Sequence, residues 1–311
     1  MINFPKNVFS ESFPIFQKLP PSMTSIRERK VLKYFARCLY SGTGEIVDLG
    51  SGVAGTVYPF ALGLSKNQQV LEKNSRIYAY DAFTTPKQKV AARGGEIYFQ
   101  NTRGSQKQDS YLHIFQKNCK TLIDYVNVCD GDITTLSWRH KPIEIIHIDI
   151  AKKLKVWQHI VKEFFPDFCV NQTIVINQDF SRSRLPWLIY STGIILPYIE
   201  LFDHVIDGVT YFKIVQEIPS VLLSKLAEDD FSIAEKIDAV NKITEVLDDC
   251  IFVGNVNKDL MKGLMELAIA YIYYYFGSKQ TSSTLAEALK NNHALVRHCS
   301  GFFRELGVSL H

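Results

Sequence analysis

The chain has 311 residues, 46% hydrophobic and 22% charged, with a formal net charge of +3 at pH 7. These values are those of a soluble globular protein with room for one large α/β core and a smaller attachment. Basic excess falls in residues 1–216 and acidic excess in 217–311, but no run of five Lys or Arg appears, so the asymmetry reads as two solvated surfaces and not as a nucleic-acid footprint.

The six cysteines, Cys38, Cys119, Cys129, Cys169, Cys250 and Cys299, form no C-x-x-C pair, which removes the signature of a zinc site or a disulfide framework. Residues 1–16 lack a basic segment leading into a long apolar one, so no secretory signal is read there. The apolar run 185–202 is broken by Pro186, Ser191, Thr192 and Pro197, and 268–276 is half a membrane span. The expectation is a cytoplasmic protein with neither a membrane nor a nucleic-acid partner.

Along the chain, residues 1–22 carry Pro5, Pro14, Pro20 and Pro21 among aromatics and read as an extended arm. Ile26, Val31, Leu32, Phe35 and Leu39 recur at helical spacing, and Ser41-Gly42-Thr43-Gly44 stops that helix. Short apolar runs at 46–49, 76–79, 125–129, 143–148 and 173–176 then read as strands, with helices at 57–64, 111–122 and 156–165 between them. Residues 84–110 are polar and glycine-containing and read as a long loop, the kind that often lids a site. The segment 185–202 reads as a helix broken near Pro197. Residues 203–205 and 210–216, joined through Asp207-Gly208, read as an antiparallel hairpin. The fold expected is α/β: a Rossmann-like, doubly wound, mostly parallel seven-stranded sheet with a C-terminal antiparallel hairpin and an α-helical C-terminal appendage.

In the appendage, Ile233, Ile237, Val240, Ile243 and Leu247 form one apolar stripe and Leu260, Leu264, Leu267 and Tyr271 another. Ser232-x-x-Glu235 and Thr284-x-x-Glu287 match capping boxes. Two or three helices and no strand are expected, serving as a lid, a partner surface or a homo-oligomer contact. The tyrosine-rich run 271–276 reads as helix packing. The division expected is an arm and helix at 1–40, a cofactor-binding domain at 41–217 and a helical region at 218–311.

The chemistry begins at Ile46-Val47-Asp48-Leu49-Gly50-Ser51-Gly52-Val53-Ala54-Gly55, where a strand runs into a G-x-G-x-x-G turn that opens a helix. Glycines allow the sharp turn and let a ligand approach the backbone, but the motif alone does not separate a pyrophosphate cofactor from S-adenosylmethionine (SAM). Asp48 does: SAM brings a cationic amino group and a sulfonium, which a carboxylate attracts and which a pyrophosphate lacks. Asp81, ending the second strand, is placed to accept both hydroxyls of an adenosine ribose, a geometry common to SAM and NAD sites. Its separation from Gly50 exceeds the ~20 residues of a tight nicotinamide unit. In Cys129-Asp130-Gly131-Asp132-Ile133, Asp132 could accept from an adenine amino group with Ile133 against the ring, although a plain turn explains the same residues.

Asp48-Leu49-Gly50-Ser51-Gly52, Tyr80-Asp81-Ala82-Phe83 and Gly131-Asp132-Ile133 resemble the successive cofactor motifs of class I SAM-dependent methyltransferases. His147-Ile148-Asp149 ending the fourth strand, with Asn177-Gln178-Asp179-Phe180 ending the fifth, narrows the resemblance to the macrocin-type sugar O-methyltransferases, over about residues 25–215. The resemblance implies SAM as cofactor, with Asp48, Gly50, Ser51, Gly52, Gly55, Asp81, Phe83, Asp132 and Ile133 around it. It also implies a small hydroxylated acceptor, such as a sugar or natural product, and Mg²⁺ on Asp149 and Asp179. His147 or Asp149 would take the acceptor proton. Ala151 and Gln178 stand where the family places two further acids, and fewer carboxylates weaken a Mg²⁺ site, so catalysis is expected not to depend strictly on a divalent metal. Two other readings stay open: a nicotinamide-dependent oxidoreductase, and a SAM-fold protein that binds without catalysing.

Overall fold

The computed structural model describes residues 1–13, 19–84 and 110–310. By internal contacts the chain divides into two compact units, Pro5–Ser137 and a second made of Trp138–His311 with Met1–Phe4.

In the first unit, helix α1 (Ile26–Tyr34) starts at a true capping box. The Ser25 hydroxyl accepts from Glu28 N, and the Glu28 carboxylate accepts from Ser25 N. The helix runs on as a π turn over Phe35–Leu39, with Tyr40 N donating to Phe35 O. Of the stripe read from the sequence, Val31, Leu32 and Phe35 are buried, whereas Ile26 and Leu39 are exposed. The arm is fastened to this helix by charge: buried Glu11 meets Lys33 Nζ at 2.6 Å and Arg37 at 2.5 Å. Strands β1 (Glu45–Leu49), β2 (Ile77–Asp81) and β3 (Val126–Asp130) pair in parallel, Ile46 opposite Ile77 and Ile77 opposite Val126. Every residue of β1 is buried, as befits a parallel strand covered on both faces, and that includes the two carboxylates Glu45 and Asp48. Helices α2 (Val57–Ser65) and α3 (Leu112–Cys119) also belong to this unit. The loop expected at 84–110 is closed at its base by an antiparallel bridge between Thr84 and Ser110; its interior, and with it the expected lid, lies outside the described residues.

In the second unit, β4 (Ile143–Ile148) and β5 (Ile174–Asn177) pair in parallel. Between them α4 (Leu154–Phe164) buries Trp157, Ile160, Val161 and Phe164 on one face, each worth about 1.5–3 kcal/mol against exposure. Helix α5 (Pro186–Ile194) is buried almost all round. It stops eight residues short of the expected end. A 3₁₀ turn at Leu196–Tyr198, with Pro197 at its start, leads into a strand the sequence reading missed, β6 (Ile199–Leu201). The hairpin partner is corrected accordingly. Strand β8 (Thr210–Ile214) lies antiparallel to β5 and to β6, while β7 (His204–Ile206) leaves the main sheet.

A second correction falls on the appendage. It holds five helices, α6 (Ser220–Glu228), α7 (Ile233–Leu247), α8 (Lys258–Phe276), α9 (Lys279–Leu289) and α10 (His293–Glu305), and one strand, β9 (Ile251–Val253), which pairs in parallel with β7. The Ser232–Glu235 capping box forms, but Thr284 lies inside α9, its hydroxyl donating to Gln280 O, and caps nothing. The appendage is welded to α5: a Cβ added at Gly193 would fall 2.0 Å from Ala239 O, so only glycine lets α5 and α7 approach this closely.

The seven-stranded sheet has the order β3-β2-β1-β4-β5-β8-β6, mostly parallel with an antiparallel pair at one end. This is the α/β, Rossmann-like, doubly wound class expected from the sequence, with its helical appendage.

Candidate functional site

The glycine turn in the first unit leaves β1 at Gly50. Gly50 (φ 101°), Gly52 (φ 52°) and, unusually for a residue with a Cβ, Ala54 (φ 74°) adopt left-handed backbone, which turns the chain sharply into α2. The turn is anchored on β2, since Gly50 N and Ser51 N both donate to Tyr80 O, at 2.9 and 3.2 Å. Beneath it the Asp48 side chain is fully buried. Its Oδ2 accepts from Thr56 Oγ1 at 2.8 Å, while Ser51 Oγ donates to Asp48 O at 3.1 Å. The glycines play different parts. A Cβ at Gly52 would meet no atom of the described residues within 4 Å, so among them the Cα side of this residue is open. A Cβ at Gly55 would fall 2.4 Å from Ser22 Oγ, so Gly55 makes room for the arm.

Asp81 is half-buried at the end of β2 and holds the turn from the other side. Its Oδ2 accepts from Gly52 N at 2.9 Å; its Oδ1 accepts from Phe83 N at 2.8 Å and from the Tyr111 hydroxyl at 2.6 Å. Burial, with the Asp81 carboxylate beside it, pushes the Tyr111 phenol well above its ordinary pKa, so it stays a hydrogen-bond donor. Phe83 is fully buried, its ring edge-on to Tyr111 at 5.8 Å and Phe115 at 5.0 Å. Ile133 is also buried. Asp132 is exposed and caps the 3₁₀ turn Ile133–Thr135, accepting from Thr134 N at 2.9 Å and Thr134 Oγ1 at 2.8 Å. The structure thus joins Asp48, Gly50, Ser51, Gly52 and Asp81 in one bonded turn. It adds Thr56 and Tyr111, which sequence reasoning missed. The buried Asp48 carboxylate beneath the turn suits a cationic ligand and opposes an anionic pyrophosphate, whereas Asp81 is placed for a ribose and suits either cofactor.

In the second unit, His147 is fully buried on β4, with Nε2 3.1 Å from Gln178 Oε1. Asp149 lies just past the strand end and is half-buried, so it does not share the enclosure of His147. Lys152 Nζ stands 2.7 Å from Asp149 Oδ1 and also pairs with Asp179 Oδ2; Arg182 Nε meets Asp179 Oδ1 at 2.7 Å. Asp179 is only 3% exposed. Lost hydration around the ammonium holds the Lys152 pKa below the usual lysine value, against the pull of Asp149 and helped by Arg182. Behind this cluster Trp187 Nε1 donates to Ala151 O at 2.9 Å, and its ring lies 5.7 Å from Tyr275 of α8, so the appendage buttresses the segment.

Mg²⁺ needs about six oxygen ligands, and three of the four oxygens of Asp149 and Asp179 already face a cation of the chain itself. Among the described residues no group of three or more His, Cys, Asp or Glu could hold a metal ion. The residues present do not fit a divalent ion. Among the described residues, too, no helix is long and apolar enough to cross a membrane.

No protein-family model matches the sequence, and no curated protein matches it significantly. The solved structures to which the chain is similar include two of CalS11. One is described as the calicheamicin methyltransferase; it covers 60% of this chain and 78% of its own, at 13% identity and a TM-score of 0.43. The other, described as the apo form of a TDP-rhamnose 3'-O-methyltransferase in calicheamicin biosynthesis, has the same coverage and identity and a TM-score of 0.41.

Proposed function

We propose that the chain is a SAM-dependent methyltransferase acting on a hydroxyl of a small acceptor, a sugar or another natural product. The observation that carries this is the glycine turn held between two carboxylates, Asp48 beneath it and Asp81 on the Gly52 peptide. When bound, SAM supplies an electrophilic methyl group that an acceptor oxygen displaces in line. Asp81 would take the ribose hydroxyls in place of the Tyr111 hydroxyl, and Asp48 would favour the cationic end. The open Gly52 peptide would admit the adenosyl group. The acceptor proton needs a base within reach of solvent-borne substrate. Half-buried Asp149 suits that role better than His147, which is enclosed and bonded to Gln178. The cofactor residues and the Asp149 cluster belong to different units, so each half of the proposal is tested by itself.

The nicotinamide reading is disfavoured by Asp48 alone, since a pyrophosphate at this turn would meet its carboxylate, whereas Asp81 suits the ribose of either cofactor. A non-catalytic SAM-fold protein keeps one observation in its favour: Lys152 and Arg182 already occupy most of the Asp149–Asp179 oxygens. The test is transfer of labelled methyl from SAM to a panel of hydroxylated small molecules. Transfer that Asp149→Asn slows at least tenfold, with cofactor affinity unchanged, supports the reading; cofactor binding with no transfer to any acceptor supports the non-catalytic one.

A further inference from the structure

The Asp149–Asp179 pair is arranged as a cation site, and the cation in it is part of the chain. Lys152 reaches back from three residues beyond Asp149 and joins one oxygen of each acid, while Arg182 takes another oxygen of Asp179. Two carboxylates, one ammonium and one guanidinium sum to no net charge. A divalent ion entering would therefore add two uncompensated charges to a cluster in which Asp179 is almost wholly enclosed. It could reduce that excess only by expelling Lys152, because a carboxylate oxygen at ligating distance from a metal cannot also bond an ammonium on the same lone pairs.

We propose that the Lys152 ammonium is a tethered substitute for a divalent ion: it closes the Asp149–Asp179 site to metals, and removing it opens that site to ions such as Mn²⁺ or Mg²⁺. This concerns the cluster alone and stands whether or not the chain transfers methyl groups.

The test is Mn²⁺ binding followed by electron paramagnetic resonance on the full chain, with no cofactor or acceptor present. The wild type is expected to show no Mn²⁺ site that depends on Asp149. Lys152→Ala is expected to gain one site per chain, at least tenfold tighter than any wild-type binding and abolished by adding Asp149→Asn. Lys152→Arg, which keeps a cation there, is expected to stay closed. A wild-type Mn²⁺ site lost in Asp149→Asn overturns the proposal, and so does a folded Lys152→Ala protein that gains none. Should Lys152→Ala fail to fold, the wild type and Asp149→Asn decide alone: equal Mn²⁺ binding supports the closed site, and Asp149-dependent binding refutes it.

Discussion

Asp81 ties three donors, Gly52 N, Phe83 N and the Tyr111 hydroxyl, onto one carboxylate. If it also receives the ribose, Asp81→Ala weakens S-adenosylhomocysteine binding by ~1–3 kcal/mol in calorimetry, through lost charge-assisted hydrogen bonds. Tyr111→Phe separates stability from binding. It deletes a hydrogen bond to a charged acceptor, so unfolding stability falls by ~1.5–3 kcal/mol, while cofactor affinity holds or rises because an Asp81 lone pair is released. A loss of affinity as large as that of Asp81→Ala would mean that the phenol itself contacts the cofactor. Asp48, the glycines and Asp81 were legible in the sequence because strand, turn and acid follow one another locally. Tyr111 and Lys152 were not: Tyr111 meets Asp81 across a long loop, and nothing in the spacing of a surface lysine foretells that Asp179 will lie beneath it. Phe83 was read as a cofactor contact from its motif, and its ring packs on Tyr111 and Phe115.

Among the elements, the long periodic ones were readable, and the three-residue strands only where a turn marked them. Strands β6 and β9 are too short for an alternating pattern to stand out, so β6 was absorbed into a helix and β9 was not expected, whereas the equally short β7 was read at 203–205 beside the Asp207-Gly208 turn. Helix α7 announces its start, and its capping box carries a pH signature. The Ser232 hydroxyl and backbone hold the Glu235 carboxyl below its ordinary pKa. A carboxyl lowered by folding stabilises the folded state above its unfolded pKa and loses that contribution as pH falls through the folded value. The difference in melting temperature between wild type and Glu235→Gln should therefore be present near neutral pH and vanish on acidification below the ordinary carboxylate range. A difference independent of pH would assign it to packing. Gly193 supplies the other test. Because α5 and α7 touch backbone to backbone there, Gly193→Ala should cost ~1–3 kcal/mol or more in denaturant unfolding. For the same reason a chain cut after Gln216 should lose solubility, by baring the apolar surface of α5. A monodisperse truncated protein would show the appendage to be peripheral.

At the scale of the whole molecule, the sheet class was legible because alternating strand and helix patterns leave few ways to bury both faces. The swap of β7 for β6 in that sheet was not, since it depends on β9, which lies far along the chain in the appendage. The proposed function follows the same division. The glycine turn assigned to the cofactor belongs to Pro5–Ser137, where local motifs suffice to describe it, and the acidic cluster with its lysine belongs to the other unit, where packing sets its contacts. If Lys152 stands in for a metal, methyl transfer should persist in EDTA. The central claim, a glycine turn built for a cationic adenosyl cofactor, is tested most directly by calorimetric titration of the full chain with S-adenosylhomocysteine and, separately, with NADH. The account predicts a single saturable site for S-adenosylhomocysteine, unchanged by EDTA and weakened by Asp81→Ala, with no heat from NADH. Saturable NADH binding with no response to S-adenosylhomocysteine would contradict it.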